Sequence, residues 1–401
     1  MSIPYLFRCP ISLDLFTDPV TLSTGQTYDR PSIEKWLADG NLTCPVTMQR
    51  LADTTLIPNH TLRHLIDQWL LADAAGAIDY QNGPLQSAAV DADLSPLALK
   101  RKLQYSPNSW SAEVLESAKK VRALCVESDI AKACFVQLGF FPLLLQLLFQ
   151  SKEVMDAALA EVMLDCVLSL AASSPLDPLN MLKEEANLAS FVLLLDQGHM
   201  KIKTSLCHLL EVISSSLVTR ELCLIIGRSR GVLQILVSLL RNESCARASE
   251  AAAQATAGLC SLESNRGHAV REGTVDGLVS HLSNTGGARR NASRVLATLE
   301  QLLEVEAGRK ALVEHPNGID VLVKMVFRVS SADHEGSEQA LGALLVVCGE
   351  SEEARSAATD AGAVTQVLLL LQSQCSLKAK ARGRALLKLL RSPCGLVKSY
   401  I

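Results

Sequence analysis

From residue 141 onward the apolar positions repeat as a block. Segments starting at Phe141, Leu188, Val232, Val275, Ile319 and Val364 each carry apolar residues at offsets of three, four and seven. The offset-three residues are Leu144, Phe191, Ile235, Leu278, Leu322 and Val367, and the offset-seven residues are Leu148, Leu195, Leu239, Leu282, Val326 and Leu371. That spacing lays one stripe along a helix. The starts lie 47, 44, 43, 44 and 45 residues apart, the period of armadillo or HEAT units. Each start is followed by a helix rich in Ala and Leu, at 153–172, 201–215, 246–262, 288–303, 336–348 and 378–391. Small residues there let helices pack closely. Gly231, Gly273, Gly318 and Gly362 read as turns ahead of the first helix of each pair. Residues 111–137 read as a degenerate entry repeat, giving six clear repeats and one partial.

The first seventy residues follow a different pattern. Residues 19–22 and 26–28 flank Ser23-Thr24-Gly25, a short hairpin with glycine at the turn. A helix follows, with Pro31 in its first turn, Ile33, Trp36 and Leu37 on one face and Gly40 at its end. A second helix starts after Asn59, a candidate N-cap, with Leu62, Leu65, Ile66, Trp69 and Leu70 on its stripe. Residues 73–95 turn to Ala, Asp, Gly, Gln and Ser and lose all periodicity, so they read as a flexible linker. The expected division is therefore a small α+β module at 1–72, a linker at 73–95 and an α-solenoid at 96–401.

Composition narrows the function classes. Hydrophobic residues make up 48% of the 401 residues and aromatics only 4%, which favours packed helices over aromatic-rich sheets. A net charge of -4 and a pI near 6.1 give no electrostatic reason to expect nucleic acid. The most apolar run, residues 138–149, falls short of the ~20 residues needed to span a bilayer. Arg8 and Cys9 interrupt any apolar leader, so no signal peptide is expected. The 12 cysteines form no C-x-x-C pair and read as reduced thiols of the cytoplasm or nucleus. Residues 1–71 offer only Cys9, Cys44, His60 and His64 as Cys/His ligands, too few for two zinc sites of four. The module is therefore expected to stand without metal or cofactor.

Its ordered motifs are Cys9-Pro-Ile-Ser-Leu-Asp, Asp18-Pro-Val, Thr24-Gly-Gln-Thr-Tyr-Asp-Arg30, Trp36-Leu, Cys44-Pro-Val-Thr47 and Leu56-Ile-Pro-Asn59. This series resembles the U-box, the zinc-free relative of the RING, and the whole chain resembles the plant U-box/armadillo ubiquitin ligases. The resemblance implies an E3 ubiquitin ligase that docks a ubiquitin-charged conjugating enzyme (E2) while the solenoid groove recruits a protein substrate. It further implies that Ile11, Leu13, Trp36 and Pro45 contact the E2. Relatives act in stress, immune or hormone responses. Taken alone, Ile11 and Leu13 would read as core, and Trp36 as part core and part interface. No residue here is expected to be catalytic, because RING-like ligases form no covalent intermediate. Cys9 and Cys44 are read as structural, and Tyr28, Asp29 and Arg30 as hydrogen-bonding substitutes for zinc.

One departure stands out. Where many family members have a basic residue that touches both the E2 and its ubiquitin, this chain has Met48, which cannot donate a hydrogen bond. Arg50 is the candidate substitute. The rival reading is an armadillo scaffold whose U-box binds partners without activating ubiquitin. The basic run Lys378, Lys380, Arg382, Arg384, Lys388 and Arg391 reads first as the solvated face of a capping helix, with an acidic partner or a peripheral membrane contact as the alternative. His208 and His281 read as packing residues.

Overall fold

The computed structural model describes residues 5–51, 53–63, 65–66, 96–105, 112–150, 156–284, 292–328 and 334–391. The chain forms two compact units, residues 1–140 and 141–401.

In the first unit, β1 (Pro19–Thr21) and β2 (Thr27–Asp29) form the expected antiparallel hairpin, with Val20 opposite Tyr28. Gly25 turns it at φ +79°, where a side chain would be strained. Helix α1 (Arg30–Ala38) follows, with Pro31 in its first turn and Gly40 ending it at φ +85°. A third strand, β3 (Ile57–Pro58), pairs with the other side of β1. Sequence reading missed it because it is two residues long and contains a proline, which is tolerated only at a sheet edge. Asn59 caps the short helix beginning at residue 60, its Oδ1 accepting from Leu62 N at 3.0 Å. Phe7, Phe16, Val20, Leu22, Tyr28, Ile33 and Ile66 enclose Cys9 and Cys44 in one core, with Leu62 and Leu65 packed at its margin. Trp69, Leu70 and residues 73–95 lie outside the described residues.

Further along are α2 (Pro96–Tyr105), α3 (Ala112–Glu127) and α4 (Asp129–Gln137), then α5 (Phe140–Phe149) and α6 (Ala157–Ala171). A 3-10 turn (Asp177–Lys183) leads to α7 (Glu185–Gln197) and α8 (Met200–Ser215). The same order then recurs in triads. These are α9 (Arg220–Arg228), α10 (Arg230–Leu240) and α11 (Ala246–Cys260), then α12 (Glu263–Arg271), α13 (Thr274–Asn284) and α14 (Ala292–Leu302). They are followed by α15 (Glu306–Glu314), α16 (Gly318–Arg328) and α17 (His334–Glu350), and by α18 (Glu352–Asp360), α19 (Ala363–Gln372) and α20 (Leu377–Arg391).

The apolar helices and the Ala-rich helices fall where the periodicity places them. The short helix that opens each triad was not expected. Three helices per repeat is the armadillo arrangement, where HEAT has two. In α12 the reason is a polar core: it buries Asn265 beside Ala269 and Val270, and Asn265 Nδ2 donates to Cys223 O and Leu259 O. A buried amide that satisfies neighbouring carbonyls leaves no apolar signature.

Gly273 and Gly362 precede their helices at φ +82° and +83°, as expected of turns. Gly318 and Gly231 do not. They lie inside the first turns of α16 and α10, and close approach is their reason: a Cβ on Gly318 would overlap the Leu312 carbonyl oxygen.

Each long third helix packs on the third helix of the next repeat, from α6 through α8, α11, α14 and α17 to α20. Polar rungs tie adjacent repeats, among them Lys183–Glu221 at 2.5 Å, Gln234–Glu272 at 2.9 Å, Arg309–Glu350 at 2.6 Å and the Arg266–Glu304 pair. Two ion pairs skip a repeat. Arg294 of α14 reaches Glu211 of α8 at 2.7 Å, and Arg382 of α20 reaches Glu300 of α14 at 2.8 Å. The second crosses α17 at Gly342, where a Cβ would overlap both side chains. Part of the basic run on α20 is therefore satisfied within the repeats, Arg382 by Glu300 and by the Glu338 carbonyl, Lys378 by Glu338.

The repeats bury Cys207 and Cys260, whose thiols desolvation pushes up to about 12. His281 is also a packing residue: its Nδ1 lies 2.6 Å from Ser249 Oγ, and burial lowers its pKa. Among the described residues no single helix is long and apolar enough to cross a membrane.

Candidate functional site

Two loops of the first module share one plan. Cys9-Pro-Ile-Ser-Leu-Asp and Cys44-Pro-Val-Thr-Met-Gln match in type at every position but the last. In the first, Leu13 N donates to Cys9 O and Cys9 N donates to Asp14 O, both at 2.8 Å; in the second, Met48 N donates to Cys44 O and Cys44 N to Gln49 O, both at 2.9 Å. Each loop is closed at its base by an antiparallel bridge, Arg8 with Leu15 and Thr43 with Arg50. Each places its fifth residue in the left-handed region, Leu13 at φ 61° and Met48 at φ 58°. For a residue other than glycine this costs about 1–2 kcal/mol. Strain retained twice at matched, exposed apolar positions points to a function for the tips.

Consecutive residues of β2 anchor the two loops, because side chains alternate across a strand. The Asp29 carboxylate accepts from Thr17 N at 2.8 Å, Thr17 Oγ1 at 2.9 Å and Asp18 N at 2.7 Å, while Asp29 N donates to Cys9 Sγ at 3.3 Å. The Tyr28 hydroxyl lies 3.0 Å from Cys44 Sγ and accepts from Val46 N at 3.2 Å. Burial drives the Tyr28 pKa upward, so the phenol stays protonated. Burial also acts to raise the Cys44 thiol, yet the surrounding hydroxyls of Thr24, Thr47 and Tyr28 outweigh it and leave the thiol at about 6. Both sulfurs are fully buried, so the low value of Cys44 does not make it a nucleophile toward solvent. Arg30 completes the frame through Asp18 at 2.6 Å, and Arg63 joins at 3.6 Å. Tyr28, Asp29 and Arg30 thus make internal polar contacts, as expected of hydrogen-bonding residues.

The five sequence candidates sit on or beside these loops. Leu13 is 63% exposed, and Ile11 and Pro45 are half-buried. Trp36 is half-buried against the core and donates from Nε1 to Thr43 O at 2.9 Å, tying α1 to the base of the second loop. Arg50 is exposed at the end of that loop. Sequence reasoning did not single out Val46, which is 51% exposed, or Met48 as an apolar tip at 70%. The internal match between the loops was the available signal.

Paired knuckles on a three-stranded sheet, followed by triads of helices, define a U-box module joined to armadillo repeats. The family models agree. The plant U-box protein ARM repeat region matches residues 101–399 and the U-box domain matches residues 3–74. The chain belongs to the plant U-box family with armadillo repeats. U-box domain-containing protein 26 of Arabidopsis thaliana is 35% identical over 98% of this chain and 92% of its own length. E3 ubiquitin-protein ligase PUB23 of Arabidopsis thaliana is 28% identical over 97% of this chain and 93% of its own. A crystallised engineered protein shares the fold, with a TM-score of 0.57 at 20% identity over 84% of this chain and 82% of that one.

Proposed function

We propose that this protein is an E3 ubiquitin ligase whose U-box holds a ubiquitin-charged E2 while the armadillo repeats recruit the substrate. Membership of the family and relatives named as E3 ubiquitin-protein ligases support the activity. The observation that carries the docking surface is the pair of matched loops with apolar tips, Leu13 and Met48, held in strained backbone. Ile11, Leu13, Trp36 and Pro45 form the E2 contact, and Arg50 is the one candidate donor toward ubiquitin. Catalysis is by orientation: the bound thioester is held so that a substrate lysine amine attacks its carbonyl, an amide forms and the E2 thiolate leaves. The division of labour is residues 1–72 for the E2 and 96–401 for the substrate, and the extents of the two family matches support it.

Reconstitution with activating enzyme, a panel of E2 enzymes and ubiquitin tests the reading. Chains should form, persist in the presence of a zinc chelator and vanish in Ile11→Ala. Binding of E2 enzymes without chain formation from any of them would establish the scaffold instead, a reading that Met48 at the second tip favours. The free, buried thiols support a reducing compartment, cytoplasm or nucleus; a fluorescent fusion found in the secretory pathway would contradict that.

A further inference from the structure

The repeats act as controls for one another, and the interface between α7 and α10 departs from its immediate neighbours. At offset three the apolar helices bury Leu144, Phe191, Leu278, Leu322 and Val367 completely, whereas Ile235 is left half-exposed. At offset four Leu145, Leu236, Val279 and Val323 are buried, whereas Val192 is half-buried and Leu368 of the last apolar helix is 41% exposed. Leu193, beside Val192, is 54% exposed. These residues and Leu188 line a cleft of about 770 Å³ between α7 and α10. In the next interface Leu240 and Val237 pack tightly against Gly277 of α13.

The chemistry of the cleft selects its occupant. Its ionisable lining residues are both acidic, Glu185 and Asp196, and neither has a cationic partner among the described residues. Glu185 suits the N-terminal turn of α7. Asp196 lies in the last turn, where the helix dipole favours a cation and disfavours an acid. An external positive charge would remove that conflict. The walls are two helices whose backbone groups are satisfied internally, Ser238 Oγ is turned onto the Ile235 carbonyl and Gln234 onto Glu272. An extended peptide would find few backbone partners here. A helix brings its own hydrogen bonds and needs only an apolar stripe. Glu185 and Asp196 stand 11 residues apart, about 16 Å along the helix at ~1.5 Å per residue, the length of three turns.

We propose that the cleft between α7 and α10 docks a short amphipathic helix of a partner protein, with apolar residues at i, i+3 or i+4, and i+7, and Lys or Arg at each end. The inference stands apart from the ligase reading, since it uses neither the loops of the first module nor the row of third helices. Its test is selection of a phage-displayed library of helix-forming 16-residue peptides on the full-length protein, followed by affinity measurement with the recovered synthetic peptides. Recovered sequences should be apolar on one face and basic at both ends. Leu193→Glu should weaken binding by at least ~10-fold, and Asp196→Lys by roughly threefold. A peptide with Glu in place of the nearby Lys should bind Asp196→Lys better than the original peptide does. Leu193 and Asp196 are exposed, and unchanged melting temperatures would confirm that both variants fold. Recovery of acidic or proline-rich peptides, of none at all, or of peptides indifferent to both substitutions would overturn the proposal. Self-association of the protein abolished by Leu193→Glu would overturn it too, by assigning the cleft to a second copy.

Discussion

The loop from Cys9 and the loop from Cys44 have the same backbone and different anchors. The first is tied to β2 by the Asp29 N–H to Cys9 Sγ, with the Asp29 carboxylate accepting three hydrogen bonds from Thr17 and Asp18 just beyond the loop; the second rests on a single phenol shared between a sulfur and one backbone N–H. Their tips differ as well, branched Leu13 against flexible Met48. The comparison teaches that the knuckle shape is written in short-range backbone hydrogen bonds and in a left-handed fifth residue, and that neighbouring residues of one strand hold both copies in place. The two loops rest on unequal polar hubs, so they should fail unequally.

The largest break is expected at the stronger hub. Asp29→Ala leaves the N–H groups of Thr17 and Asp18 without their acceptor, at roughly 1–3 kcal/mol each, so the U-box should unfold while the helical repeats keep their own melting transition. Calorimetry of the full-length protein separates the two, and a single unshifted U-box transition would refute the role given to Asp29. Next comes docking. Ile11→Ala removes an apolar contact worth about 1.5–3 kcal/mol, about 10- to 150-fold in E2 affinity by titration calorimetry. Val46→Ala on the second loop removes a smaller side chain and should cost less; an equal loss would make the loops equivalent.

The weaker hub should give a smaller effect. Tyr28→Phe deletes one hydroxyl and should destabilise the module by about 1–2 kcal/mol in a denaturant titration, with the first loop intact by amide exchange. The smallest effect is expected at the second tip. Met48→Lys supplies the missing donor and should accelerate ubiquitin discharge from the E2 to free lysine a few-fold, with E2 affinity nearly unchanged. An unchanged discharge rate would mean that Arg50 already supplies the donor.

Much of this architecture was legible before any coordinates. The offset stripe located every apolar second helix, because buried Leu and Val at helical spacing are a direct record of packing. The hairpin, α1 and the Asn59 cap were legible for a similar reason: glycine, proline and asparagine mark backbone positions that other residues occupy at a cost. Elements held by polar contacts were not legible, as Asn265 in α12 shows. Nor was the backbone of Leu13 and Met48, since neither residue type advertises a positive φ. The cleft beside Leu193 was hidden for the opposite reason. Leu188, Val192 and Ile235 are as apolar as their counterparts in the other repeats, and only packing distinguishes them.

Gly342 has a consequence for how the repeats melt. A solenoid in which each repeat touches only its neighbours unfolds as a one-dimensional series, its stability the sum of single-repeat and adjacent-interface contributions. The vacancy left by the missing side chain lets Arg382 and Glu300 meet across the intervening helix, and Glu211 meets Arg294 across α11 two repeats earlier. Alternate repeats are thereby braced directly. Truncation from the C-terminal side should depart from strict additivity when the last repeat is removed, because the deletion frees a carboxylate two repeats away.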